Sequence, residues 1–184
     1  VAGSLFATGG FEGGHGGQIE TSGHRLDVEG ISVSTKAKGG EAGNWLLDPY
    51  DIYISNTFST TNEALVSGTY TASGNISYIK STDLNNALAS SNVTVSTTGS
   101  GTATGNISVY DGVTWSANTL TLSAAANIYI FQPMNGTGTA SLALKYGQAA
   151  AAPALGTYDY YVNAEVNLPA GPNFSTQYGS TGTA

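Results

Sequence analysis

Asn127-Ile128-Tyr129-Ile130 repeats, in residue type and order, the earlier runs Asn106-Ile107-Ser108-Val109 and Asn92-Val93-Thr94-Val95. A fourth copy, Asn75-Ile76-Ser77-Tyr78-Ile79, is shifted by one residue. Each run alternates β-branched residues with small or polar ones, and period two describes a strand with one face buried and one wet. Working outward, Ile31-Ser32-Val33-Ser34, Ile52-Tyr53-Ile54, Leu120-Thr121-Leu122 and Leu142-Ala143-Leu144 carry the same alternation between corners of Gly, Asn, Ser and Thr. One supersecondary unit repeated in this way is the signature of a solenoid. The expected fold is all-β: a right-handed parallel β-helix (β-solenoid) with short loop excursions. A β-sandwich also has many short strands, but it does not require near-identical local sequence in successive strands.

The runs at 119–122, 127–131 and 140–144 suit three strands per coil. A coil of roughly 20 to 27 residues gives about seven to nine rungs, and at ~4.8 Å per rung a stack on the order of 35–45 Å. Residues 57–74 and the Ala-rich stretch 149–157 with Pro153 read as loops standing out from the stack. Asp48-Pro49 reads as a turn start, with Asp48 accepting backbone N–H groups. Thr82-Asp83-Leu84-Asn85-Asn86-Ala87-Leu88 reads as one short helix, with Thr82 as cap and leucines at i and i+4. Strands are expected again at Tyr158–Val162 and Glu165–Leu168.

Composition limits function. The chain has 184 residues, of which 40% are hydrophobic and only 9% charged, against roughly 25% charged in an ordinary soluble protein. Solubility must then rest on hydroxyls and amides. The formal charge of −7 comes from 12 acids against 5 scattered bases, so there is no basic patch to neutralise a row of phosphates and nucleic acid is not expected as a partner. There is no cysteine, which excludes zinc–thiolate, redox-pair and disulfide chemistry. No apolar run approaches the roughly 20 residues that cross a bilayer.

The stretch Gly16-Gly17-Gln18-Ile19-Glu20-Thr21-Ser22-Gly23-His24, followed by Ala42-Gly43-Asn44-Trp45-Leu46-Leu47-Asp48-Pro49-Tyr50-Asp51-Ile52, resembles the filamentous-haemagglutinin-like exoproteins of bacterial two-partner secretion. Val113–Ala124, Asn135–Gly138 and Asn163–Pro169 are similar to the repeat core of that family. Gln18 stands where the family has an aromatic or apolar residue, and Asn44 where it has Thr. The resemblance implies a secreted or surface-exposed β-helical adhesin or stalk, extending and attaching to a host or neighbouring-cell glycan or protein, with an outer-membrane secretion partner. Residues 1–184 then form a single β-helical segment of a longer exoprotein, or a subunit stacked in a fibre. Two alternatives remain: a head-to-tail self-assembling extracellular filament, whose partners are further copies of itself, and a polysaccharide-binding or polysaccharide-cleaving β-helix.

The candidate chemistry is sparse. His15 and His24, with Glu12, Glu20 and Asp27 nearby, could be drawn as a metal site, but exposed polar residues on glycine corners are the plainer reading. Asp48 and Asp51 could pair as acid and base in glycoside cleavage, yet Arg25, Lys36 and Lys38 are the only bases nearby in the sequence to hold an anionic substrate. No enzymatic activity, cofactor or metal is expected. The 11 tyrosines suggest a contact surface, and Tyr146, Tyr158, Tyr160 and Tyr161 are its first candidates. Thr119-Leu120-Thr121 could start a threonine ladder of the ice-binding kind, which requires the step to repeat in register. Asn75, Asn92, Asn106, Asn135 and Asn173 each open an Asn-x-Ser/Thr triplet.

Overall fold

A computed structural model describes residues 3–23, 26–57, 64–66, 69–71, 76–98 and 103–182. The chain runs through β1 (Gly3–Phe6), β2 (Gln18–Ser22), β3 (Ile31–Ser34), β4 (Asn44–Asp48), β5 (Asp51–Ile54), β6 (Ala64–Val66), β7 (Thr69–Thr71) and β8 (Ile76–Ile79). Helix α1 (Ser81–Leu88) follows, then β9 (Asn92–Ser96), β10 (Ile107–Val109), β11 (Val113–Trp115), β12 (Thr119–Ser123), β13 (Ile128–Ile130) and β14 (Met134–Gly136). The last strands are β15 (Ser141–Tyr146), β16 (Tyr160–Val162), β17 (Val166–Asn167) and β18 (Phe174–Tyr178). The protein is therefore all-β with one short helix among the described residues, and its larger sheets are parallel.

Three of these sheets are built from strands far apart in sequence. The first has the order β18-β15-β12-β9-β4-β2, the second β16-β13-β10-β5-β8, and the third β11-β14-β17. From β10 to β18 the chain visits the second, third and first sheets in turn, three times over. Of the runs expected to share one coil, 119–122 and 140–144 instead stack on each other in the first sheet, and β14 is the strand between them in the third. Trp45, Val93, Leu120 and Leu142 lie side by side across the first sheet, and Ile52, Ile107 and Ile128 across the second. All of these side chains are buried and belong to one hydrophobic cluster. At roughly 1.5–3 kcal/mol for each fully buried large aliphatic side chain, these rows dominate the stabilisation.

The two motifs quoted above are neighbours in space. β2 pairs with β4 residue for residue, Gln18 opposite Asn44, Ile19 opposite Trp45 and Ser22 opposite Asp48. The Trp45 indole N–H donates to Thr21 Oγ1 at 3.1 Å. The glycines leading into these strands serve close backbone approach: a Cβ on Gly43 would lie 1.9 Å from the Gly17 carbonyl oxygen, and one on Gly16 would lie 1.8 Å from that of Thr35.

Several expectations are corrected. The first sheet has six strands, spanning about 24 Å at ~4.8 Å per strand, shorter than 35–45 Å. The offset between stacked positions is not constant either: 27 residues from Asn92 to Thr119, 21 from Asn106 to Asn127, 32 from Asn127 to Asp159 and 48 from Asn44 to Asn92. The longest interval holds β6, β7 and α1 between β5 and β9. Within the expected 57–74 loop, β6 pairs with β7 antiparallel, and residues 58–63, 67–68 and 72–74 are outside the described residues. Helix α1 begins one residue earlier than expected, at Ser81. Its cap position is Lys80, with no side-chain cap bond. Thr82 lies inside the first turn, where Asn56 Oδ1 accepts its N–H at 3.4 Å and Asn56 Nδ2 donates to Ser81 Oγ at 2.7 Å. Leu84 and Leu88 are buried as their spacing predicts. The 149–157 stretch is tied down at its base, since Tyr178 donates its hydroxyl to the Ala154 carbonyl and Thr181 Oγ1 donates to that of Ala151. Among the described residues no helix is long and apolar enough to cross a membrane.

Candidate functional site

The recurring asparagines have a structural task. Asn106 Oδ1 accepts the backbone N–H of Asn127 at 3.0 Å, and Asn127 Oδ1 accepts that of Asp159 at 2.8 Å. One strand further down, Asp51 Oδ1 accepts the N–H groups of both Gly105 and Asn106 at 2.7 Å. A ladder of side-chain acceptors therefore climbs the entry to β5, β10, β13 and β16, satisfying corner amides that no strand partner reaches. On the other large sheet Asn92 Oδ1 accepts the Thr119 N–H at 2.8 Å. Two of the glycosylation-type triplets thus begin with an Asn whose amide oxygen already serves the backbone.

The outward side of β8, β5, β10, β13 and β16 is an aromatic face. Period two turns Tyr78, Tyr53, Ser108, Tyr129 and Tyr161 outward in one row, in register. Tyr110 and Phe131 follow β10 and β13 directly. Tyr129 is parallel to Tyr161 within 7°, centroids 5.0 Å apart, and to Phe131 within 1° at 5.9 Å. Tyr110 lies 5.1 Å from Phe131, and Tyr53 stands edge-on to Tyr110 at 5.0 Å and to Tyr78 at 5.7 Å. Such pairs contribute roughly 0.5–1.5 kcal/mol each beyond their burial. Burial first, then the Tyr110 and Tyr78 phenols and the Asp51 carboxylate, raise the Tyr53 pKa above its ordinary value of 10.0, so that phenol stays a neutral donor.

Ser108 interrupts the row. Over it opens a cleft of about 230 Å³, walled by Tyr53, Tyr110, Tyr129 and Phe131, with Asp51 and Asn106 along one rim. Ser108 is only 5% exposed, and among the described residues its hydroxyl has no hydrogen-bond partner.

The expected contact cluster is divided by the same alternation. Tyr161 is on the outer face, 45% exposed. Tyr160 points inward against the core with Tyr146, their rings 5.2 Å apart, and Tyr146 lies 5.1 Å from Tyr178. Tyr158 approaches Gly147. Tyr53, Tyr78 and Tyr129, absent from the sequence-based candidates, form the longer surface.

The other candidates part company. Asp51 is at the rim of the aromatic face, whereas Asp48 is on β4 in the first sheet. It is Asp51, not Asp48, that accepts backbone N–H groups. Burial raises the Asp48 pKa above 3.8, a hydrogen bond from Ser96 opposes the shift and Glu20 adds to it; Asp48 Oδ1 is buried without a hydrogen bond. His15 Nδ1 accepts the Glu41 N–H at 3.1 Å, while His24 and Arg25 lie outside the described residues. No group of three or more His, Asp or Glu able to hold a metal occurs among the described residues. The Thr119/Thr121 step has Asn92/Thr94 on one side and Ser141/Ala143 on the other, so it does not repeat in register. Compared with known proteins, the chain matches no family model, no curated protein and no solved structure at significance.

Proposed function

We propose that the chain is a right-handed parallel β-helix serving as a secreted or cell-surface adhesin or stalk segment of the filamentous-haemagglutinin-like kind, extending from a bacterium and attaching it to another surface. The observation that carries this reading is the in-register parallel stack, β2-β4-β9-β12-β15-β18, beside a second stack whose outer face is aromatic. Parallel strands joined through a crossover take the right hand in about 98% of cases, and a stack of rungs lengthens by adding more of them. An exposed aromatic row supplies contact area at low conformational cost. The test is attachment: beads coated with the chain are offered to host epithelial and bacterial cells. Retention above that of albumin-coated beads is expected, and retention equal to albumin on every surface would remove the attachment role.

A second reading, the head-to-tail filament, is favoured by one observation. Leu142, Leu144, Val162, Val166, Leu168 and Phe174 line an apolar cleft of about 280 Å³ where β16, β17 and β18 end the three stacks. Phe174 and Val162 are each 48% exposed there. Unpaired edge strands with apolar side chains invite another copy, and such a contact generates an open filament. Electron microscopy of the native material separates the two readings: fibres repeating at about one stack of rungs favour the filament, and a chain continuing as one long rod favours the stalk.

A further inference from the structure

We infer that the cleft over Ser108 is a binding site for one neutral pyranose ring of an uncharged oligosaccharide, stacked on Tyr129 and hydrogen-bonded by Asp51, Asn106 and Ser108. For its biological use the site rests on the attachment reading above; the binding itself is measurable alone.

The argument starts from register. Tyr53, Ser108 and Tyr129 occupy equivalent outward positions on three adjacent strands. Tyr161 covers one face of Tyr129, 5.0 Å away and parallel within 7°. The opposite face looks along the sheet toward β10, where serine provides no ring. Positions two strands apart are separated by roughly 9.5 Å. Tyr53 stands edge-on to Tyr110, which is nearly parallel to Phe131 and so to Tyr129; Tyr129 therefore supplies the flat stacking face of the gap and Tyr53 its far wall.

The polar groups select the ligand further. Asp51 Oδ1 is engaged by Gly105 and Asn106, but Oδ2 accepts no hydrogen bond from the described residues. Asn106 Nδ2 donates to Thr104 Oγ1, which uses one of its two hydrogens. With the Ser108 hydroxyl, the cleft therefore offers a charged acceptor, an amide donor and a hydroxyl beside an aromatic face. A pyranose has that same division, C–H bonds on one face and hydroxyls around the edge. A purely apolar side chain would cover Asp51 and Ser108 without supplying partners and would leave both polar groups stranded.

Charge excludes acidic glycans. Among the described residues no Lys or Arg lines the cleft, Asp51 is at its rim, and the chain carries −7 overall. Sialylated or sulfated sugars would meet repulsion without compensation. Among the described residues a single carboxylate lines the cleft, whereas glycoside cleavage ordinarily requires two. The site is therefore one of binding rather than hydrolysis.

The test uses the full chain and saturation-transfer NMR with lactose, maltotriose, cellotriose and triacetylchitotriose, and with 3′-sialyllactose and heparin as anionic probes. Transfer to the ring protons of at least one neutral saccharide is expected, with little to the anionic ones. Ser108→Tyr places in the gap the residue its neighbours carry in the same register, and should weaken binding at least about tenfold while leaving the circular dichroism unchanged. Tyr129→Ala should weaken it roughly tenfold, one lost stacking face; should Ser108→Tyr fail to fold, this variant decides alone. No transfer to any neutral saccharide, preferred binding of heparin, or unaltered affinity in both folded variants overturns the proposal. Beads that attach to cells equally with and without Ser108→Tyr remove the site's part in attachment and leave the attachment reading standing. Saccharide binding without any bead attachment does the reverse.

Discussion

On the second sheet the outward positions of adjacent strands carry Tyr53, Ser108, Tyr129 and Tyr161; on the first sheet the corresponding kind of position carries Thr94, Thr121, Ala143 and Ser175. Turned inward, the same strands are alike, with Ile52, Ile107 and Ile128 in one and Val93, Leu120 and Leu142 in the other. The interior constrains every second residue and leaves the residue between them free. What differs between the two outer faces is therefore not demanded by the core, and the aromatic face is the place to look for contact with another molecule.

That comparison breaks first if the interiors are not equivalent. Ile128→Ala and Leu120→Ala should each lower stability by about 2–5 kcal/mol, read from urea unfolding; one costing far less than the other would show that the sheets do not share a core evenly. Asn127→Ala removes the acceptor for the Asp159 N–H and should cost about 1 kcal/mol, with Asp159 amide exchange accelerated. The outer faces are sharpened by exchange of their residues: Tyr129→Thr should cost about 1 kcal/mol through its lost ring contacts, whereas Thr121→Tyr should stay within about 0.5 kcal/mol.

The smallest effect is one of pH. Folding raises the Asp48 carboxyl above 3.8, chiefly by burial, so between 3.8 and the raised value the folded chain binds more protons than the unfolded one. Stability then falls as pH rises through that window. Asp48→Asn should equal or slightly exceed the parent at neutral pH, and its advantage should vanish below about pH 4. An advantage that grew on acidification would contradict this assignment.

The strands and their inward residues were legible because alternation is local: β9, β10, β12, β13 and β15 each announce themselves within a few residues. Helix α1 was visible through Leu84 and Leu88, but not its first turn, which Asn56 holds from across a long interval. The aromatic face was hidden for the same reason. Tyr53, Tyr110 and Tyr129 become neighbours only through a register whose offsets vary, and the variation comes from hairpin, helix and loop placed between strands where the stack does not restrict length. The division of Tyr160 from Tyr161, by contrast, was available from alternation alone.

The acceptor ladder at Asp51, Asn106 and Asn127 has a consequence for how such a chain changes over evolution. Each acid or amide meets the next corner through the same atom, Oδ1, and each is followed by an inward isoleucine. Excising residues 106–126 as a block would bring Asn127 to Asp51 and Ile128 to Ile52, the partners that Asn106 and Ile107 have now. Losing one residue from β10 would instead turn its remaining side chains to the wrong side of the sheet. Heredity can therefore edit these strands in whole repeats more safely than in single letters, and change within a repeat is confined to the segments between strands.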